Sequence, residues 1–147
     1  MTITGPLEQA QLLETLVLNI VNHQSLIATK ARRLSYAAAG RPIMEFGARR
    51  AQGPESALYG TRAAIIGGAN STSNVLAAKL FDIPVASTMA HSWIEAFPDE
   101  LTAFRKWTEQ YPDNSALLVD TYDVLNSGIP NAVTVFKELR AAGHEPV

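Results

Sequence analysis

Apolar side chains recur three and four positions apart over the first forty residues, which is the spacing of a helix. The spacing predicts a helix over 7–38, with Pro6 suited to its first turn and Gly40-Arg41-Pro42 ending it. Because apolar residues cover more than half of its circumference, we expect this helix to be largely buried between other elements. The prediction depends on Leu12, Leu13, Leu16, Val17, Ile20, Val21, Leu26 and Ile27.

Beyond residue 42, short apolar runs alternate with amphipathic stretches, a pattern typical of strands that alternate with helices. Strands are predicted at 42–46, 83–87 and 115–119, with a further short strand or turn at 66–69. Helices are predicted at 54–66 and 73–81, from Pro98 past Trp107, and at 130–142. The strand at 115–119 is the clearest, because its apolar run is continuous, as in a strand covered on both faces.

The order strand, helix, strand, helix predicts parallel pairing with right-handed crossovers, and therefore an α/β fold. Three or four such units do not close an eight-stranded barrel, which takes about 250 residues. We therefore expect a partial α/β barrel that is cut at both ends. Residues 1–40 would form a long helix leading into it, and residues 41–147 its three to four βα units.

Composition removes several classes of function. The chain has 147 residues, enough for one compact domain, with 47% hydrophobic and 18% charged residues. A formal net charge of -2 gives no electrostatic driver for non-specific nucleic-acid binding. The lack of cysteine excludes disulfides, thiol catalysis and thiolate metal sites, and it is compatible with the cytoplasm. No apolar run reaches the ~18 residues that a membrane span needs, and the first residues do not resemble a signal peptide.

Ligands of parallel α/β folds gather at the carboxyl ends of strands, where this sequence is polar. The segment 45–54 contains Phe46, Arg49 and two glycines, and arginine suits a carboxylate or a phosphate. A solvated basic turn with Phe46 in the core is an equal alternative. The segment 67–74 contains Asn70 and Ser71 and can offer backbone N–H groups to an anion, although an ordinary helix N-cap explains it better.

Two further segments carry titratable groups. His91 and Ser92 follow the predicted strand at 83–87, and a histidine there can donate a proton, bind an anion or accept a phosphoryl group. A lone loop histidine is more often structural. Asp120 and Asp123 follow the strand at 115–119 and can bind a sugar hydroxyl or, through water, Mg²⁺; a cap and a turn are the alternatives. The sequence contains no Walker loop, dinucleotide fingerprint, HExxH or nucleophile elbow. The arginine, histidine, aspartate and glycine residues expected at one edge of the sheet suit a phosphorylated anionic ligand.

These segments also form long motifs in a fixed order. Residues 45–54 read Glu-Phe-Gly-Ala-Arg-Arg-Ala-Gln-Gly-Pro, and residues 66–77 contain Ile-Gly-Gly and Thr-Ser-Asn-Val-Leu-Ala. Ala-His-Ser follows at 90–92, then Val-Asp-Thr-Tyr-Asp and Ser-Gly-Ile-Pro-Asn within 119–131. The chain thereby resembles the nicotinate phosphoribosyltransferase family over nearly its whole length, with Ala48 where the family signature has leucine.

The resemblance implies a type II phosphoribosyltransferase (β/α) barrel and a reaction. Family members condense nicotinate with phosphoribosyl pyrophosphate, giving nicotinate mononucleotide and pyrophosphate in NAD salvage. ATP hydrolysis is coupled to this step, so that the enzyme is both a glycosyltransferase and a ligase. The resemblance also implies Mg²⁺ with the phosphates, a homodimer and a cytoplasmic location.

By the matching motifs, the resemblance assigns a role to single residues. His91 is similar to the histidine that is phosphorylated during coupling, and Asp120 to an acid beside the ribose and pyrophosphate. Phe46 is similar to the aromatic residue that stacks on the pyridine ring, and Arg49 to an arginine of the ligand and phosphate site.

The resemblance also implies that Asn70, Ser71, Ser92 and Asp123 contact substrate. Asn70 and Ser71 fall near the base-recognition loop.

Parts of the family pattern find no match in this sequence. They are an N-terminal domain, a second aromatic clamp donated across the homodimer interface, and later strands with an acidic ribose loop and the main phosphate-binding loops. We therefore expect the chain by itself to be inactive, or to associate with such segments. One alternative is a non-catalytic truncated barrel that acts as a binding or interaction module. Another is a relative that uses nicotinamide or quinolinate, although Arg49-Arg50 and the motif at 90–92 favour nicotinate.

Overall fold

The structure is a computed structural model that describes residues 2–146. Its contacts divide the chain into two compact units, the first ending at Ser87 and the second beginning at Thr88. The first unit contains α1 (Leu7–Ala37), β1 (Met44–Glu45), α2 (Pro54–Ile66), β2 (Ser71–Thr72) and α3 (Val75–Phe81). The second contains α4 (His91–Glu95), α5 (Glu100–Thr108) and α6 (Ile129–Ala141). α1 ends at Ala37, near the end expected for the long helix, and the division into a long helix and a partial barrel stays a prediction.

The long first helix is confirmed, and the prediction that it is largely buried is wrong. Ala31 is the buried residue of α1, whereas Leu12 is 75% exposed. Within the first unit α1 packs mainly against α2, so one narrow face of the helix is covered. That face is built from small residues, because a Cβ on Gly67 would overlap Ala28 O and approach Ala31 Cβ to 2.7 Å. Its leucines therefore lie mostly outside the contact.

Parallel strand pairing is confirmed in the first unit, in shorter strands than the sequence suggests. Met44 and Glu45 of β1 pair in parallel with Ser71 and Thr72 of β2. Thr72 also forms a parallel bridge with Val85, which is what remains of the strand predicted at 83–87. Ile66 ends α2, and Gly67 and Gly68 form the turn that follows it, so the segment 66–69 contains a turn and no strand. β2 itself lies in the polar segment 67–74, where no strand was predicted. The first unit is thus mixed α/β.

The helices α2 and α3 follow the sequence signals closely. α2 begins at Pro54 as predicted, after Gly53, whose φ of 102° favours glycine. α3 begins two residues later than predicted because Asn74 caps it, its side chain accepting a hydrogen bond from Ala77 N at 3.1 Å. Asp82 ends α3 in the left-handed conformation, with a φ of 53°.

In the second unit, the strand predicted at 115–119 is wrong. Residues 115–119 form no β-ladder or β-bridge with any other described residue. Leu117, Leu118 and Val119 instead pack against a helical core, and this contact accounts for their apolar character. A continuous apolar run does not by itself distinguish a buried strand from an extended segment covered by helices.

The second unit is held by large buried side chains on its helices. Its core contains Ile94 of α4, Phe104 of α5 and Val135 of α6. α5 begins two residues later than predicted, at Glu100, because Asp99 caps it by accepting a hydrogen bond from Thr102 N at 2.7 Å. α6 is also confirmed, and a single π-helical turn, Val124–Gly128, leads into it. Among the helices of residues 2–146, none is long and apolar enough to cross a membrane.

Candidate functional site

In the first unit, one carboxylate organises the end of the β1–β2 pair. Oε2 of Glu45 accepts hydrogen bonds from Thr72 Oγ1 at 2.7 Å and Thr61 Oγ1 at 2.9 Å. Both threonines are buried, and they lie on β2 and α2. Oε1 of Glu45 accepts a hydrogen bond from Gly47 N, which begins the following 3₁₀ turn, Gly47–Arg50. Glu45 thus joins a strand, its neighbour, a helix and a loop.

The loop that Glu45 holds carries two of the predicted site residues. Phe46 precedes the 3₁₀ turn and Arg49 lies within it, and both side chains are exposed. A Cβ on Gly47 would lie 2.7 Å from Glu45 Oε1, so the glycine allows the carboxylate to close on the turn. Phe46 is therefore not the core residue of the structural alternative. An exposed ring and an exposed guanidinium in one loop are groups that can stack on a planar anion and pair with its charge.

Asn70 and Ser71 lie at the edge of the same strand pair. The Asn70 amide oxygen accepts a hydrogen bond from Ile43 N at 2.8 Å, and Asn70 N donates to Ile43 O at 2.8 Å. Ser71 is buried in β2, where it pairs with Met44. These contacts give both residues a role in fixing the strands. Their predicted contact with a substrate stays a prediction.

In the second unit, the two predicted catalytic residues are brought together. His91 Nε2 lies 3.2 Å from Asp120 Oδ1, across 28 intervening residues of sequence. The His91 side chain is 54% exposed and that of Asp120 is 59% exposed, so the pair is open to a ligand. A carboxylate at Nε2 favours the neutral tautomer with its proton on that nitrogen, which leaves a lone pair on Nδ1.

His91 begins α4, a short helix fixed to the core by the residues that follow. Ile94 is fully buried, and Trp93 donates its indole N–H to Ala103 O at 3.2 Å. Ser92 lies between His91 and Trp93 with its side chain exposed. The sequence did not predict α4, because five residues are too few for periodicity to register.

Asp123 has a structural role. Its Oδ1 accepts hydrogen bonds from Leu125 N at 3.1 Å and Asn126 N at 2.9 Å, and its Oδ2 accepts one from Asn126 Nδ2 at 2.9 Å. The side chain and backbone of Asn126 hold the pKa of the Asp123 carboxyl below its ordinary value. The alternative that Asp123 begins a turn therefore describes its geometry, and binding of a substrate by Asp123 stays a prediction.

Among residues 2–146, no group of three or more His, Asp and Glu side chains could hold a metal ion by itself. Mg²⁺ commonly binds proteins through one or two carboxylates together with substrate phosphates and water. The exposed carboxylate of Asp120 fits that mode, since it is paired with His91 alone among the described ion pairs.

Sequence reasoning missed the residues that hold these loops. Glu45, Thr61 and Thr72 form one hydrogen-bonded group although they are far apart in sequence. Glu100 is buried in the second unit, where it accepts hydrogen bonds from Ser127 and Asn131. A glutamate ending an apolar strand was a signal for Glu45, whereas an acid in the first turn of a helix is common enough to hide Glu100.

Comparison with known proteins agrees with the motifs. The model of the nicotinate phosphoribosyltransferase (NAPRTase) family matches residues 42–135. The chain is 52% identical to nicotinate phosphoribosyltransferase of Bacillus subtilis (strain 168), over 94% of this chain and 28% of that protein. It is 36% identical to nicotinate phosphoribosyltransferase of Caenorhabditis elegans, over 98% of this chain and 34% of that protein. The chain thus spans about a third, or less, of these relatives.

Solved structures give the same result for the fold. Human nicotinic acid phosphoribosyltransferase superposes with a TM-score of 0.77 at 33% identity, covering 97% of this chain and 38% of that one. Nicotinate-nucleotide pyrophosphorylase from Pyrococcus furiosus superposes with a TM-score of 0.66 at 32% identity, covering 78% and 29%. The family match extends over most of the sequence and includes both the Glu45 loop and the His91–Asp120 pair. The chain therefore belongs to the nicotinate phosphoribosyltransferase family.

Proposed function

We propose that this chain supplies part of the catalytic centre of a nicotinate phosphoribosyltransferase in NAD salvage. The reaction transfers phosphoribosyl from phosphoribosyl pyrophosphate to nicotinate, giving nicotinate mononucleotide and pyrophosphate. The observation that carries the proposal is the contact of His91 Nε2 with Asp120 Oδ1 at 3.2 Å. A second exposed pair, His144 with Asp113 at 2.9 Å, has similar geometry. The His91–Asp120 pair differs from it because both of its residues lie in the segment that matches the family.

The same contact supports the proposed ATP coupling through His91. With the proton on Nε2 directed at Asp120, the Nδ1 lone pair is the nucleophile. It attacks the γ-phosphorus of ATP, a P–N bond forms, and the P–O bond to ADP breaks with its electrons leaving on ADP. Asp120 stabilises the positive charge that develops on the ring, as the carboxylate of a catalytic triad does for its histidine. Hydrolysis of the phosphohistidine then returns the imidazole.

Asp120 also suits the phosphoribosyl step itself. Departure of pyrophosphate leaves positive charge on the anomeric carbon and its ring oxygen, and a nearby carboxylate stabilises that charge. Mg²⁺ would be held by Asp120 together with the substrate phosphates, since the described residues provide no complete cage of their own. When bound, Mg²⁺ would neutralise charge on the phosphate oxygens and so favour the departure of pyrophosphate.

Nicotinate would be recognised in the loop after β1. The exposed ring of Phe46 offers a stacking surface for the pyridine, and the guanidinium of Arg49 offers a two-pronged partner for its carboxylate. Glu45 holds the loop through Gly47 N, and so fixes where both side chains begin. Asn70, Ser71 and Ser92 remain candidates for secondary contacts with the substrates.

Family membership supports a proposal for the rest of the fold, the oligomeric state and the location. We infer that the βα units continue in the complete enzyme as a type II phosphoribosyltransferase barrel, which works as a homodimer in the cytoplasm. In support, the human enzyme superposes on 97% of this chain, and the paired strands of the first unit are parallel, as in such a barrel.

A chimaera with a full-length relative tests this proposal in a protein that also has the segments outside the matched region. The 138 aligned residues of the Bacillus subtilis relative would be exchanged for those of this chain and the product assayed with nicotinate, phosphoribosyl pyrophosphate, ATP and Mg²⁺. We expect nicotinate mononucleotide, a loss of ATP stimulation in His91→Ala, and phosphate label on the wild-type histidine only. A folded chimaera that makes no product would favour a non-catalytic interaction module. The same assay on the 147-residue chain tests the expectation that it does not turn over by itself.

Base selectivity is tested in the same reaction with nicotinamide and quinolinate as competitors. If Arg49 pairs with the carboxylate of nicotinate, the enzyme should have a higher kcat/KM for nicotinate than for nicotinamide. Arg49→Ala should reduce the ratio of these two values. Arg50→Ala is the matched control, because it removes the same charge from the neighbouring position. A preference for quinolinate would instead support the alternative of a relative that uses quinolinate. The superposition with the Pyrococcus furiosus pyrophosphorylase is the reason to test it.

A further inference from the structure

Glu100 is a buried acid that the proposed reaction does not use. It is 3% exposed, and its Oε2 accepts hydrogen bonds from Ser127 Oγ at 2.6 Å and Asn131 Nδ2 at 3.2 Å. Its Oε1 is buried and has no hydrogen-bond partner among the described residues. Burying a carboxylate oxygen without a partner is costly, so the presence of this acid in the core calls for an explanation.

The turn that Glu100 holds lies directly on the segment before Asp120. Ser127 and Gly128 end the π-helical turn, and a Cβ on Gly128 would overlap Val119 O. Gly128 has φ -56° and ψ -56°, which suit alanine as well as glycine, so only the closeness of Val119 requires the glycine. Ser127 also accepts a hydrogen bond from Asn131 Nδ2 at 3.2 Å, which fixes the hydroxyl on Glu100.

A continuous set of contacts therefore leads from Glu100 to the reactive pair. Glu100 holds Ser127, the adjoining Gly128 rests on Val119, and Val119 is followed by Asp120, which contacts His91. We propose that Glu100, through Ser127 and Gly128, is a positioning residue that sets Asp120 against His91. The positioning of Asp120 is inferred from the contacts alone. Its effect on catalysis rests on the proposed function.

The closing experiment reads the His91 ring directly. In the 147-residue chain, the ¹⁵N shifts of Nδ1 and Nε2 of the neutral imidazole report its tautomer. The variant Asp120→Asn provides the reference for a ring without its carboxylate. The test variants are Glu100→Ala, Ser127→Ala and Gly128→Ala, and Glu100→Gln is the conservative rescue, because its amide oxygen can still accept from Ser127 and Asn131.

Two controls separate positioning from general loss of stability. Asp99→Ala removes the neighbouring acid that caps α5 and touches neither Ser127 nor Asn131 in any described hydrogen bond. Thr134→Ala removes a hydroxyl of α6 that donates to Pro130 O at 2.9 Å. Both variants should keep the wild-type tautomer.

We expect Glu100→Ala and Gly128→Ala to move the His91 signals to those of Asp120→Asn, and Glu100→Gln to leave them unchanged. In the chimaera, Glu100→Ala should lower kcat by about tenfold or more, with the KM for nicotinate unchanged, because misplacement of a reacting group acts on turnover. Folded Ser127→Ala and Gly128→Ala proteins that keep the wild-type tautomer would overturn the inference. A chimaera without product but with shifted His91 signals would overturn the proposed function and leave the positioning role standing.

Discussion

The two compact units hold their candidate site residues by different physical means. The first buries mainly small or polar side chains, among them Ala63, Ala77, Thr61 and Thr72. The second buries Phe104, Ile94 and Val135 in one apolar core. In the first unit, strand pairing and the hydrogen bonds to Glu45 fix the loop that carries Phe46 and Arg49. In the second, packing of large side chains fixes the segments that carry His91 and Asp120, together with the hydrogen bonds that Glu100 accepts from Ser127 and Asn131.

Because of this difference, the stability of the two units should respond to opposite kinds of substitution, one that adds atoms and one that removes them. A unit packed through glycine and alanine has little room, so an added methyl group should harm it more than a lost one. A unit packed through large side chains loses most when one of them is shortened, since a cavity remains. Substitutions in each unit test this contrast, and their effects on the free energy of unfolding can be ranked.

The largest loss is expected from shortening the core of the second unit. Phe104 is fully buried, and Phe104→Ala should lower the free energy of unfolding by about 3–5 kcal/mol. Leu16 on α1 is 62% exposed, and Leu16→Ala should change it by no more than about 0.5 kcal/mol. Denaturant unfolding of both variants measures the contrast. Equal losses would mean that α1 is covered in solution.

An added methyl group in the first unit should rank next. Gly67→Ala places a Cβ against Ala28 O and Ala31 Cβ, at a φ of -74° that alanine adopts readily. The expected loss is about 1–3 kcal/mol, from overpacking of α1 against α2. Gly5→Ala is the control, because nothing lies within 4 Å of its Cβ. Thermal unfolding that gives the two variants equal midpoints would refute the small-residue contact.

Removal of a hydroxyl from the Glu45 group should cost less. Thr72→Val keeps the shape of the side chain and removes the donor that lies 2.7 Å from Glu45 Oε2. Loss of one partner of a carboxylate should lower the free energy of unfolding by about 1–3 kcal/mol, toward the lower end because Thr61 still donates. Thr134→Val, which changes an exposed hydroxyl, is the control. If the two variants unfold alike, Glu45 is not the organising group of this loop.

The smallest effect concerns pH. Hydrogen bonds from Asn126 lower the pKa of Asp123 in the folded chain below its ordinary value of 3.8. The ionised carboxylate therefore stabilises the folded chain above that pH, and the contribution is lost as the pH falls through the lowered pKa. Asp123→Ala should flatten the acid side of the pH–stability curve, and Asn126→Ala should flatten it in part. An unchanged curve in both variants would contradict the capping role.

The sequence predicted elements whose signals are local. The helix at 54–66 was identified to the residue, because Pro54 marks its first turn and its apolar period is helical. The strand predicted at 115–119 failed because its apolar character comes from the helices that cover it, and these depend on the rest of the unit. For the same reason the burial of α1 was overestimated, since an apolar face indicates what could be covered and not what is.

The candidate site shows the same limit. His91 and Asp120 were chosen as single residues of separate segments, and the sequence contains no sign of the 3.2 Å contact between them. Motif resemblance placed them in one reaction, but their distance is a product of tertiary packing. Glu45 and Glu100 were overlooked because their importance depends on burial and on partners far away in the chain.

The formation of nicotinate mononucleotide by the chimaera, compared among wild type, His91→Ala and Asp120→Asn, tests the account most directly. The account predicts product from the wild-type sequence and no ATP stimulation in His91→Ala. In Asp120→Asn, turnover should fall on the order of 10⁴-fold if the carboxylate holds the tautomer as in a catalytic triad. Equal ATP-stimulated rates in all three proteins would contradict it, because the contact between His91 and Asp120 would then have no part in the reaction.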